Sequence, residues 1–174
     1  MHEDLLAQAI ALAKIDPKKP KQVNLRRAVS SVYYALFHYL VHEGCCQQIG
    51  TQHVQSPFRH VIGRGYSHSV MKQACASFGG GTLKEAVKKG LPLDANRNYP
   101  IPKPIRDLAA TFAELQEKRQ LADYDLSERF ARAEVLTLIE EVEDAIKKFG
   151  KLPASNDKNF FLACLWAWKE LSNR

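Results

Sequence analysis

The sequence predicts an all-α protein built as an antiparallel helical bundle. Three observations carry that expectation. Apolar residues recur at three- and four-residue steps through most of the chain, the period of a helix with one buried face. No stretch shows the sustained alternation of a half-buried strand. The strongest breaks are Asp16-Pro17, Gly79-Gly80-Gly81 and the run holding Pro92, Pro100, Pro102 and Pro104, and they fall between the periodic stretches. With 174 residues, 45 % of them apolar and 25 % charged, the chain has the make-up of one globular domain. The expected organisation is a single helical domain over 1–174. A core comes from 1–78 and 104–149, an irregular insertion fills 79–103, and a C-terminal helix lies within 150–174.

In residues 3–15, Leu5, Leu6, Ala9, Leu12 and Ala13 share one helical face. Pro17 stops that helix, because proline lacks the N–H and disfavours helix in the residue before it. Residues 22–48 are the longest periodic stretch of the first half, with Val23, Ala28, Val32, Ala35, Leu36, Tyr39 and Leu40 as the core stripe. Residues 49–55 read as a loop. Ser56-Pro57 is a helix start, and the helix it opens is expected to reach Phe78, weakened by Gly63 and Gly65. A short helix near 82–89 precedes the proline-rich crossing, which is long for a compact domain. Pro104 opens a helix with Ile105, Leu108, Phe112 and Leu115 in register. Asp125 and Glu128 have the spacing of a capping box for a helix over 126–149. Its stripe is Phe130, Val135, Leu138, Ile139, Val142, Ile146 and Phe149, and Gly150 ends it. The last helix, 157–171, capped by Asn156 or Asp157, is apolar on nearly every side. It must be buried against the bundle or a partner chain.

Composition narrows the function classes. No apolar run approaches the roughly 18 residues of a bilayer span. The start, Met1-His2-Glu3-Asp4, lacks the cationic lead and apolar block of a signal peptide. Cys45, Cys46, Cys75 and Cys164 form no CxxC and no disulfide framework. The expectation is a reduced, cytoplasmic protein with no membrane association and no cofactor. Net charge is +6, unevenly spread. Residues 51–104 hold eight Lys/Arg against two acids, whereas residues 105–150 hold seven against eleven. A basic segment of this kind attracts phosphate chains. It is equally the pattern of a solvated surface, or of complementarity within a chain or dimer.

Two stretches differ from generic bundle sequence. The first is Asn24-Leu25-Arg26-Arg27-Ala28-Val29-Ser30-Ser31-Val32-Tyr33-Tyr34-Ala35-Leu36-Phe37-His38, and the second is Arg119-Gln120-Leu121-Ala122-Asp123-Tyr124-Asp125. Together and in this order they resemble the HEPN superfamily, small helical bundles of prokaryotic toxin–antitoxin and defence systems. The resemblance covers residues 3–78 and 104–149. It implies a HEPN-like bundle, binding of RNA or a nucleotide, pairing as a homodimer and a possible antitoxin partner protein. HEPN ribonucleases carry an arginine followed, after four to six residues, by a histidine. No arginine here meets that spacing. Arg64 precedes His68 with three residues between, and Arg59 precedes His60 directly. The expectation is therefore a non-catalytic binding module. A degenerate metal-independent endoribonuclease using His38, Arg64 or His68 is the alternative, and a purely structural interaction protein is a third reading.

Read without the family, Arg27, Tyr34 and His38 lie near one face of the 22–48 helix, and Arg26, Ser30, Tyr33 and Phe37 form a neighbouring stripe. Arg119 falls in register with an apolar stripe and can pair with Asp123 one turn later. Semi-buried polar groups need partners, so Arg26, Arg27, Tyr34, His38, Arg119, Asp123 and Tyr124 are the candidate ligand-binding set. Such a network either fixes helix register or forms a phosphate cleft, for which arginine's planar fork is suited. His38 and His42 have the spacing of two zinc ligands on a helix but lack an obvious third, so no metal is assigned. The glycine triplet is not followed by the Gly-Lys-Ser/Thr of a phosphate loop.

Overall fold

A computed structural model describes residues 1–173 and is all-α. In chain order it contains α1 (His2–Lys14), α2 (Gln22–Ile49), a 3-10 turn (His53–Gln55), α3 (Ser56–Gly63), α4 (His68–Gly79), α5 (Glu85–Lys88), α6 (Lys103–Tyr124), α7 (Arg132–Gly150) and α8 (Asn156–Ser172). No strand occurs among the described residues, and none of their helices is long and apolar enough to cross a membrane. The buried side chains form one cluster running from Leu6 to Trp168.

α2 is the axis of the bundle, packing on α1, α3, α6, α7 and α8. Its buried face includes Leu25, Val29, Val32, Tyr33, Leu36 and Leu40, each with no exposed surface. Val23, expected in that stripe, is 61 % exposed, because the helix has only just begun there and turns this residue outward. The α1–α2 turn is closed by Asp16, whose Oδ2 accepts hydrogen bonds from Asn24 Nδ2 (2.7 Å) and the Lys21 N–H (3.3 Å). Those bonds, Asn24's first, hold its carboxyl below the usual carboxylate range.

The expected single helix over 56–78 is two helices. α3 ends at Gly63, residues 64–67 turn, and α4 starts at His68 with the Ser67 hydroxyl accepting from the Val70 N–H (3.3 Å). This side-chain cap outcompetes continuation of the helix. Arg64 and His68 therefore do not share a helical turn. Likewise the helix expected over 126–149 starts only at Arg132. Asp125 Oδ1 accepts instead from the backbone N–H and hydroxyl of Ser127 (2.9 and 2.6 Å), a local turn that uses up the cap. The cap of α8 is Ser155, whose Oγ accepts from the Lys158 N–H (3.2 Å), not Asn156 or Asp157.

The insertion has order of its own. Asp94 Oδ1 accepts from the N–H groups of Asn96 and Asn98 (2.9 and 2.8 Å). The buried Lys88 ammonium reaches Glu85 (2.6 Å) and the Arg97 carbonyl (3.2 Å). Tyr99, buried, donates to Asp157 at the start of α8. α8 finds its apolar partners within the chain. It packs on α4 and α2, with Phe161, Leu162, Leu165 and Trp168 buried, leaving Trp166 as its one large exposed apolar side chain among the described residues. The tail thus supplies no argument for a second copy.

Candidate functional site

The two motif stretches meet. α2 contributes Ser30, Tyr33, Tyr34, Phe37 and His38, the end of α6 contributes Arg119, Asp123 and Tyr124, and α4 begins there with His68. Helical spacing puts Ser30, Tyr34 and Phe37 along one side of α2, and α6 packs against that side. Asp123 Oδ1 accepts from the Ser30 hydroxyl (2.6 Å). Its Oδ2 stands 2.6 Å from Arg119 Nε, a charge contact, although the N–H is not aimed at it and makes no hydrogen bond. Arg119 Nη2 donates to the Tyr34 hydroxyl (3.1 Å). The guanidinium lies 5.6–5.8 Å from the ring centres of Tyr33, Tyr34 and Tyr124, within cation–π range. Burial works against its charge, but Asp123, Tyr34 and Tyr124 outweigh that and hold the cation. Its Nη1 has no hydrogen-bond partner among the described residues.

Two imidazoles complete the cluster. The Tyr33 hydroxyl and His68 Nδ1 are 2.6 Å apart. Burial pushes the Tyr33 phenol up, so it stays protonated and donates. That leaves His68 Nε2 to carry the proton of the neutral ring. The His68 ring packs on Phe37 (4.1 Å between centres), and His38 lies edge-on to Phe37 (5.4 Å) and against Tyr34 (6.2 Å). Burial lowers the pKa of both histidines, and Arg119 and then His38 lower that of His68 further. Both rings are therefore neutral at pH 7. Beside the cluster lies a shallow depression of about 800 Å³ bordered by Lys72, Glu117, Gln120, Leu121, Tyr124 and Asp125. Tyr124 is 75 % exposed, and Lys72 is paired with Glu117 at 3.1 Å.

The structure brings Tyr34, His38, His68, Arg119, Asp123 and Tyr124 together. Three other candidates lie elsewhere. Arg26 donates from Nη1 to the Ala122 carbonyl (2.9 Å) and from Nη2 to those of Asp125 (2.6 Å) and Glu128 (2.7 Å). It ties off the end of α6 and is not open to a ligand. Arg27 is exposed two turns before Tyr34 on the same side of α2, about 10 Å along the helix axis from it, and makes no hydrogen bond or ion pair to the cluster. Arg64 borders a groove between α2 and α3 that Phe37 and His38 also line but Arg119 does not. Tyr33, Phe37 and Lys72 are members that the candidate set omitted. The Tyr33-Tyr34 pair was the available signal, since adjacent aromatics on one helix cannot both face the same core. His42 lies against Cys46 Sγ (3.5 Å from Nε2). No group of three or more His, Cys, Asp or Glu stands together among the described residues. Burial raises the thiol pKa of Cys46, as it does for Cys45, Cys75 and Cys164, so none is an activated nucleophile.

Comparisons with protein-family models, with curated proteins and with solved structures return no match for this chain.

Proposed function

We propose that the surface shared by α2, α4 and α6 binds RNA or a nucleotide without cleaving it, in the manner of a HEPN-like binding module. The observation that supports this is the Arg119 guanidinium, anchored by Asp123 and Tyr34, with Nη1 unengaged among aromatic rings. A phosphate takes Nη1, with Lys72 as a second cation. Bases stack on Tyr124 and Tyr34, a pairing of cation and aromatic that suits single-stranded RNA. The toxin–antitoxin or defence setting, an antitoxin partner and pairing as a homodimer belong to the same reading through the resemblance.

The test is fluorescence anisotropy with a labelled twelve-residue oligouridine, with AMP as competitor. If about three phosphates are held, log affinity falls with log salt at a slope near −2. Tyr124→Ala weakens binding by roughly five- to a hundredfold, the range of about 1–3 kcal/mol for one stacked base. Absence of binding at about 50 mM salt refutes the reading. The neutral imidazole of His38 beside Phe37 favours a second reading, a degenerate endoribonuclease in which His38 takes the 2′-hydroxyl proton and water protonates the leaving 5′-oxygen. A gel of the same RNA separates the two. Intact RNA supports the binding module, and cleavage stopped by His38→Ala supports the enzyme.

A further inference from the structure

From Gly44 to Lys84 the chain carries no aspartate or glutamate. Within that stretch α3 and the turn before it expose a row of apolar side chains, Val54 (71 %), Phe58 (62 %) and Val61 (62 %). The row continues onto α8. Trp166, 47 % exposed, lies against Gly65 so closely that a Cβ there would stand 2.5 Å from the indole Nε1. Glycine at position 65 is what lets the indole reach the end of α3. Val54, Phe58, Val61 and the Trp166 seat at Gly65 are four, three and four residues apart, the step of a helical stripe. Three sides of α3 are thus distinct. Gly63 packs on Val41 and Cys45 of α2, Ser56, His60 and Arg64 border a groove of about 560 Å³ against Phe37, His38 and His42, and the apolar row has no partner.

We propose that this row is the docking surface for an acidic amphipathic helix of a partner protein. The proposal goes beyond RNA binding and does not depend on it. The spacing of the row matches the i, i+4, i+7 anchors of helix-on-groove recognition, and an exposed tryptophan is the residue type most enriched among binding hot spots. The charge along its edge selects an acidic partner. Arg64 and His60 flank it. Arg59, though bonded to the Gly50 and Gln52 carbonyls (2.7 and 3.0 Å), adds a permanent cation. Glu43 of α2 is paired with Lys158 (3.6 Å), so Glu170, exposed one turn after Trp166 on α8, is the carboxylate that stands against these cations. A second copy fits poorly. Two such rows facing each other would oppose cation to cation, and four side chains fall short of the roughly 800 Å² per partner of a stable dimer. The acidic outer face of α7 exposes no large apolar side chain to offer in exchange. A lipid surface would find two permanent cations on a convex helix, too few for stable adsorption.

The probe is an 18-residue Leu/Glu amphipathic peptide, with its Leu/Lys counterpart and phosphatidylglycerol vesicles as further arms. Trp168 is buried and Trp166 exposed, so tryptophan emission reports on Trp166. The expected result is a saturable blue shift with the acidic peptide only. It should weaken at least tenfold in Phe58→Asp and severalfold between 50 and 500 mM salt. Phe58 is exposed, so the variant folds, which an unchanged circular dichroism melt verifies. RNA binding is unchanged in Phe58→Asp, and peptide binding is unchanged in Tyr124→Ala, so failure of one reading is distinct from failure of the other. No shift with the acidic peptide at about 1 mM overturns the proposal. So does equal binding of the Lys peptide, a shift produced by vesicles alone, or concentration-dependent sedimentation that Phe58→Asp abolishes.

Discussion

Arg26 and Arg119 come from the two motif stretches and end in contrasting surroundings. Arg26 satisfies carbonyls that α6 leaves open at its C-terminus, and its charge also suits that end of the helix dipole. Arg119 is held in a cluster of side chains with one edge unengaged. Arg26→Ala should cost about 2–3 kcal/mol, since several charged hydrogen bonds to part-buried carbonyls are lost together. Arg119→Ala should cost about 1–3 kcal/mol, because Asp123 is left half-buried with only Ser30, and Arg119→Leu/Asp123→Leu should be milder than the single change. Urea denaturation measures both. Among molecules that remain folded, Arg26→Ala should keep oligouridine affinity and Arg119→Lys should lose most of it. The sequence showed that these arginines were semi-buried. It could not show what each faced, because the carbonyls that Arg26 meets are backbone atoms, common to every residue type. The Tyr33–His68 bond was hidden for a related reason. It joins residues 35 apart across a break that the Gly63 and Gly65 positions announced only as a weakness.

At the scale of elements, prolines and apolar periodicity placed α1, α2 and the start of α6 to within about two residues. The misses lie where a polar side chain could serve two local structures. Asp125 with Glu128 reads as a capping box, yet Ser127 captures Asp125 first and Arg26 takes the Glu128 carbonyl (2.7 Å), which delays α7 to Arg132. There Arg132 bonds the carbonyls of Ala13, Asp16 and Pro17, fastening α7 to the end of α1. The glycine triplet read only as a break, but Gly79 is also a contact. A Cβ at that position would stand 2.7 and 2.8 Å from the backbone N and Cα of Ala110 on α6. Backbone cannot swing aside as a side chain does, so α4 and α6 would have to separate. Gly79→Ala should therefore destabilise by about 1–3 kcal/mol, whereas Gly80→Ala, whose nearest neighbour is a carbonyl at 3.1 Å, should cost less. Thermal melts of the two variants compare them. The reverse order would mean that the α4–α6 contact is looser than its geometry.

For the whole molecule, the histidine pair couples folding to pH and ties it to the proposed ligand. In the folded chain, burial lowers the pKa of His38 and His68, so near neutrality the folded state binds fewer protons than the unfolded state. Stability from these groups is fully present above the unfolded value of about 6.5. It is lost as pH falls through that value toward the lowered folded ones. Asp16, Glu85 and Asp125 have lowered pKa values as well, but they act below about pH 5, outside this window. The melting temperature should fall between pH 7.5 and 5.5, and His38→Gln/His68→Gln should flatten that fall. A bound phosphate reverses the sign. Its negative charge beside the imidazoles favours their protonated form, so binding takes up protons and oligouridine affinity should rise on acidification over the same window. The free protein then becomes less stable, and the complex tighter, as pH drops. Melts with and without oligouridine at pH 7.5 and 5.5 test both halves. A ligand-induced shift that shrinks at pH 5.5 would place the phosphate away from His38 and His68, and a free protein that gains stability on acidification would mean that these rings are charged in the fold.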